Sequence, residues 1–318
     1  MTTAQVVPDR KITTARRPHP LLAVMAWEAR RLRASRFHWS IPLLVFVLFL
    51  IDFWPARHPH RVTFAGMDYL VAGTSAWGLV DLLATRLFLL LALLLPFVCV
   101  DGVARDVKRR THELLMTTTL PSWAYIWGRY LLTLLLGLGL ALVLLAALLT
   151  LGFGLPLIDP PYAAPDVGNI LTLWAVIVVP ATILLSSVSF ALGAWLPRHS
   201  NIVKVGALIV WLGWTGIFTV LTLPGQPTLS NWFLAIDPTS NGFSGVGDLH
   251  YFNTIYSHLA HVPVTTPGAQ IAQTVQTVDQ RLPDLSAWLT SQLIWAALGV
   301  ALIVLLTRTF RRFRNSFS

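Results

Sequence analysis

Charge is scarce in this sequence: 12% of the 318 residues are Asp, Glu, Lys or Arg, about half the ~25% of an ordinary soluble domain. With 55% hydrophobic residues and a mean hydropathy of +0.66, that shortage excludes a soluble globular protein. Cysteine is limited to Cys99, so no intrachain disulfide framework can form. The sequence has no G-x-x-x-x-G-K-S/T phosphate loop, no G-x-S-x-G elbow, no H-E-x-x-H and no paired carboxylates at mid-span depth. The chain is therefore not expected to hydrolyse ATP alone. No internal repeat relates residues 1–160 to 161–318, which argues against the inverted-repeat plan of many secondary transporters. The first apolar run starts only at Ile41, behind a long segment rich in Arg and Pro, too polar for a cleavable signal peptide. A retained N-terminus is expected.

Apolar runs are what the sequence has in abundance. Six can be drawn, about Phe37 to Trp54, Leu79 to Val100, Trp123 to Leu151, Ile170 to Leu196, Val205 to Leu223 and Leu285 to Thr307. Most reach the ~20 residues that a helix needs to cross a ~30 Å hydrocarbon core. Backbone groups in lipid must be satisfied within the segment, and these Leu-rich runs lack the period-2 alternation of a barrel strand. The expected fold class is an all-α polytopic membrane protein with six transmembrane helices.

Orientation follows from the basic residues. Nineteen of the 23 Lys and Arg fall before the first span, in Arg105 to Arg129, at Arg198 and Lys204, or at the C-terminal end. Arg57, Arg61 and Arg281 fall on the other side, with Arg86 inside a span. This bias places both termini in the cytoplasm, as an even number of spans requires. A net charge of +9 then serves contact with anionic membrane lipids, and no nucleic-acid partner is implied.

Outside the spans, residues 1–19 read as a disordered cytoplasmic arm, and residues 20–318 as one six-span membrane domain. From Pro20, Leu21, Leu22, Met25, Ala29 and Leu32 recur at helical spacing among Glu28, Arg30, Arg31, Arg33 and Arg36, the pattern of an amphipathic helix on the membrane surface. Asp101 to Ser122 forms a short cytoplasmic segment with room for two helical turns before Pro121. Its basic residues suit the inner leaflet, whereas Asp106 and Glu113 gain nothing there and suggest a protein partner. A long external loop, about 224–284, carries aromatic clusters and is expected to form an outer cap or gate.

Polar residues at spans and loops supply the remaining candidates. Asp81 and Arg86 make a possible intramembrane polar site, and Asp52 lies near the end of the first span. His58 and His60, with His250, His258 and His261, are the raw material for an external metal site, but carboxylates near them are few and no metal is expected. Small residues at packing spacing, Gly137 and Gly139, Ser186, Ser189 and Gly193, Gly206 and Gly213, predict close helix contacts. Pro180 predicts a kink in the fourth span.

The cytoplasmic segment resembles the membrane subunit of a type 2 (ABC-2 type) ATP-binding-cassette exporter. The likeness rests on Asp106, Arg109, Arg110, Thr111, Glu113, Leu114, Leu115 and Pro121, followed by W-A-Y-I-W-G-R from Trp123 to Arg129. W-E-A-R-R-L-R-A-S-R-F, Trp27 to Phe37, is similar to the family's amphipathic connecting helix. The chain departs from the family pattern in having Asp106 and Val107 where Glu and Arg are common, and Arg110 where Gly precedes the Thr.

The resemblance implies that Asp106, Arg109, Arg110, Thr111, His112, Glu113, Leu114 and Leu115 form the coupling helix that seats on a separate ATPase subunit. Trp27, Glu28, Arg30 and Arg31 on the connecting helix would brace it. It further implies two ATPase copies carrying the ATP and Mg2+, no cofactor in this chain, and a second permease copy, favoured as a homodimer. The chain would lie in a cell membrane, a bacterial inner or plasma membrane, as a component of a transporter and not an enzyme by itself. An amphipathic or lipid-like substrate or drug fits the apolar spans. The competing reading is a membrane-embedded enzyme acting on lipid or metal through the external-loop histidines.

Overall fold

The computed structural model describes residues 19–34, 36–54, 60–64, 67–71, 94–108, 120–158, 166–221, 237–238, 277, 281–282 and 285–315. Helices dominate. They are α1 (Pro20–Arg33), α2 (Arg36–Phe53), α3 (Asp101–Lys108), α4 (Ser122–Ile158), α5 (Val167–Trp195), α6 (Ser200–Leu221) and α7 (Ser286–Asn315). The exception to the all-α expectation is an antiparallel hairpin, β1 (His60–Phe64) with β2 (Met67–Val71), in register His60 to Val71 and Phe64 to Met67. It lies in the loop that the hydropathy pattern leaves between the first two apolar runs.

Among the described residues, four helices are long and apolar enough to cross a membrane: Ser122–Gly154, Val167–Trp195, Pro197–Phe218 and Trp288–Phe310. These correspond to the third to sixth expected spans. The first expected span overlaps α2, whose apolar stretch Pro42–Ile51 is shorter than these four. Of the second, residues 94–99 are helical, Val100 is a turn residue, and the rest lies outside the described residues. So do the arm 1–18 and nearly all of the loop 224–284.

The connections alternate up and down, so α1, α3, the start of α4, the end of α5, the start of α6 and the end of α7 gather at one end of the bundle. Their neighbourhood is fixed by specific contacts. The His19 and Trp123 rings lie 5.9 Å apart, Tyr125 stacks on Phe310 at 6.0 Å, and Trp195 Nε1 donates to Thr309 Oγ1 at 3.2 Å. This is the basic end, carrying Arg30, Arg31, Arg129, Arg198 and Lys204 together.

Among the described residues, two apolar cores fill the bundle. The larger joins α2, the helical residues 94–99, α4 and α5 through Phe49, Leu95, Leu144, Leu148 and Ile177. The smaller, at the basic end, packs Val103, Ile126, Tyr130, Phe190 and Ile303. Within it Ser187 donates to the Ile183 carbonyl at 2.6 Å, leaving the Tyr130 hydroxyl, 2.8 Å away, as donor to Ser187.

Pro180 sits just after an irregular stretch of α5. Lacking an N–H, it cannot bond the carbonyl four residues back, and the helix answers with a π-helical stretch at Trp174–Val178 immediately before it. Trp174 Nε1 there donates to the Ala141 carbonyl of α4 at 3.0 Å. At the other end Asp166 caps α5, its Oδ1 accepting from the Asn169 N–H at 2.9 Å.

The small residues divide. A Cβ on Gly137 would meet Leu95 and Ser186 at 3.0 Å, and one on Gly193 would strike the Val100 backbone, so these two mark close contacts within the chain. Gly139, Gly206 and Gly213 have nothing within 4 Å of a Cβ position. No close contact within the described residues is made at these three; Gly139 lies on α4, and the face of α6 that carries Gly206 and Gly213 points away from the bundle with Ile202, Ile209 and Val220, all more than half exposed.

Candidate functional site

The connecting helix forms where its sequence pattern placed it. Pro20 opens α1 at a position where a missing N–H costs nothing, and Arg30, Arg31 and Arg33 in the last turn oppose the negative end of the helix dipole. Val24 is buried against α4, where Gly128 leaves the room: a Cβ there would come within 2.8 Å of the Val24 Cβ. This tight seat brings the next turn of α1, with Trp27 and Glu28, over the side chain of Arg129.

Arg129 sits two turns into α4 and is 1% exposed. Its Nη2 lies 2.5 Å from Asp106 Oδ2 of α3 and 3.6 Å from Glu28 Oε2 of α1. The guanidinium also lies between two aromatic faces, 4.9 Å from the Tyr125 ring centre and 5.4 Å from that of Trp27. Tyr125 donates its hydroxyl to Asp106 Oδ2 at 2.8 Å. Arg31 completes the group, 3.6 Å from Glu28 Oε2 and 5.9 Å from the Trp27 ring. Asp106 is 3% exposed. A carboxylate and a guanidinium this deep are tolerable because each neutralises the other; removal of one partner leaves a buried, uncompensated charge.

A second ion pair holds the other end of α3. Lys204 Nζ of α6 donates to Asp101 Oδ2 at 2.8 Å, with the two side chains 11% and 32% exposed, and lies 5.5 Å from the Phe97 ring. Beside it the Val100 backbone rests directly on α5 at Gly193. Thus α3, eight residues long, is tied to α4 and α1 through Asp106 and to α5 and α6 through Val100 and Asp101.

The structure brings Glu28, Trp27, Arg31 and Asp106 together. Arg30 is turned elsewhere, its Nε donating to the Ala26 carbonyl of its own helix at 3.3 Å. Helix α3 spans Asp101–Lys108 and shares only its last three residues, from Asp106, with the expected coupling segment; Arg109, Arg110, Thr111, His112, Glu113, Leu114 and Leu115 lie outside the described residues. So do Asp81, Arg86, His58, His250, His258 and His261, while the side chains of Asp52 and His60 are likewise outside them. Among the described residues no group of three or more His, Cys, Asp or Glu could hold a metal ion.

Sequence reasoning missed Arg129 and Tyr125 as members of this cluster. Arg129 registered as one more basic residue on the inner side. Its depth was the available signal: an arginine two turns inside an apolar helix needs a buried counter-ion, and the adjoining segment offers Asp101, Asp106 and Glu113.

Comparison with known proteins adds one match. A family model described as ABC-2 family transporter protein covers residues 67–308. No curated protein matches the chain.

Proposed function

This chain belongs to the ABC-2 transporter family, a multi-pass membrane permease of an ABC transporter, and on that footing we propose that it works as an exporter driven by a separate ATPase. The basic end then faces the cytoplasm with both termini, in a bacterial inner or plasma membrane. Two ATPase copies bind ATP and Mg2+ and seat against the segment Asp106 to Leu115, with Arg109, Arg110, Thr111, His112, Glu113, Leu114 and Leu115 on the contact. Trp27, Glu28 and Arg31 brace that segment from α1. The cargo is amphipathic or lipid-like, a lipid or a drug, in keeping with spans that carry few fixed charges. Asp81 and Arg86 remain candidates for a polar contact along the pathway.

The observation that carries the coupling reading is the buried Arg129 cluster. It joins three elements that are far apart in sequence at the end of the bundle where an ATPase would dock. A push on α3 is transmitted through it to both α1 and α4, the kind of packed, two-state connection by which a local event biases a whole bundle. A second permease copy completes the pathway, favoured as a homodimer, and the open face of α6 at Ile202, Gly206, Ile209 and Gly213 offers a place for it.

The test is partnership. The chain is tagged at its C-terminus, extracted gently from native membranes, and whatever co-purifies at a fixed ratio is identified by mass spectrometry. A near-stoichiometric soluble ATPase, lost in Glu113→Ala, is the expected result. A chain that purifies alone would sink the reading and redirect attention to the external histidines.

A further inference from the structure

Glu28 is the unbalanced member of the buried cluster. Its side chain is 12% exposed, yet Oε2 makes no hydrogen bond among the described residues and stands 3.6 Å from Arg31 Nη1 and from Arg129 Nη2. Asp106, by contrast, accepts the Tyr125 hydroxyl at 2.8 Å, and its Oδ2 is ion-paired with Arg129 Nη2 at 2.5 Å. A buried acceptor without a hydrogen bond is a cost that a fold rarely carries without return. The return here is proximity: a movement of less than about 1 Å would bring Glu28 and Arg129 to the ~2.8 Å of a charge-assisted hydrogen bond.

We propose that Arg129 is the positioning residue of a two-position clasp, holding Asp106 of α3 in the state described here and passing to Glu28 of α1 when the partner ATPase displaces α3. The inference rests on the coupling reading above. Passing between carboxylates keeps the guanidinium paired throughout, and Asp106, which gives it up, retains the Tyr125 hydroxyl as a donor. The neighbours fit such a passage. Trp27 from α1 and Tyr125 from α4 present their rings to the guanidinium at 5.4 and 4.9 Å, so it can shift while remaining covered. Tyr125 can keep its hydrogen bond to Asp106 after Arg129 has left, and Arg31 shares the charge of Glu28 in either position. Lys204 with Asp101 lies at the opposite end of α3 and faces none of these groups.

The experiment uses the permease with its co-purified ATPase in lipid nanodiscs, compared without nucleotide and after trapping with Mg-ATP and orthovanadate. Amide hydrogen exchange is followed in α1 and α3. Trapping is expected to raise exchange in α3 and lower it in α1, each by about fivefold or more, the scale of a local opening rather than global unfolding. In Glu28→Gln the complex assembles at the same ratio and still traps nucleotide, but α1 gains no protection and ATPase kcat falls about tenfold with the ATP KM unchanged. Glu28→Asp, which keeps the charge, recovers part of the kcat. A merely structural role for Glu28 would instead lower the yield of complex at constant kcat. Exchange that moves in parallel in α1 and α3, or is unaltered while vanadate-trapped nucleotide is retained, overturns the clasp. Failure of any ATPase to co-purify overturns the coupling reading itself, and the clasp with it.

Discussion

Replacing Arg129 with Met removes the guanidinium but keeps a long side chain in its slot between Trp27 and Tyr125. Arg129 and Asp106 have side chains 1% and 4% exposed, so water cannot take over the pairing. Breaking a buried pair by removing one partner costs about 3–5 kcal/mol. The Tyr125 hydroxyl still donates to Asp106 and holds the effect toward the lower figure. At roughly 2 °C per kcal/mol for a chain of this size, Tm should fall by about 6–10 °C, read by scanning fluorimetry of the purified protein in one detergent at one lipid ratio. The sharper prediction is non-additivity. A triple variant, Arg129→Met with Asp106→Asn and Glu28→Gln, removes every charge that Arg129 contacts in the cluster. Neutral replacement of a whole buried ion cluster is often close to neutral in stability, so the triple variant should regain most of the lost Tm. The three substitutions should couple by about 2 kcal/mol or more. A drop below about 2 °C for Arg129→Met, or single effects that simply add, would refute the picture of a desolvated, mutually dependent cluster.

Three other predictions follow from the same contacts. Gly193→Ala should destabilise by about 1–3 kcal/mol, because the added methyl meets Val100 backbone that cannot rotate away; Gly206→Ala, with open space around it, should be neutral or stabilising by up to about 1 kcal/mol, and Tm measured side by side separates the two. Lys204→Ala breaks a partly exposed pair and should cost no more than about 1 kcal/mol, with an effect that shrinks as salt is raised through the screening range. Asp166→Ala removes the cap of α5 and should cost about 1 kcal/mol, seen as faster amide exchange confined to the first turn of that helix.

The long helices were legible because hydropathy is a local signal and the bilayer sets their length. The run from Trp123 to Leu151 appears as Ser122–Ile158, and that from Leu285 to Thr307 as Ser286–Asn315. The overshoot has two causes: α7 continues past its last apolar run into the basic tail at Arg308, and α4 continues through Phe153, Leu155 and Leu157 to Ile158. The amphipathic α1 was legible for the same reason, its apolar period being written in consecutive residues.

The cluster was only half legible. Glu28 and Asp106 stood out as acids among basic residues, but their meeting at Arg129 joins positions widely separated in sequence, and nothing local encodes that. Gly206 and Gly213 show the converse. Small residues at helix-packing spacing signal that a close approach is possible, not which helix makes it, and among the described residues no helix does.

The π-helical stretch at Trp174–Val178 gives α5 two reading frames. A π turn holds one residue more than the α-helical turn it replaces, and one residue is about 100° of rotation about the axis. Ser187 against Tyr130 and Gly193 against Val100 are therefore counted from Pro180 toward the basic end, while the Asp166 cap and Ile170 are counted from Trp174 toward the other. Removing a single residue within the stretch would merge the frames into one continuous α-helix. The lower contacts would stay in place, and the upper half would turn by about a quarter of a revolution, carrying Ile170 out of the core it now fills.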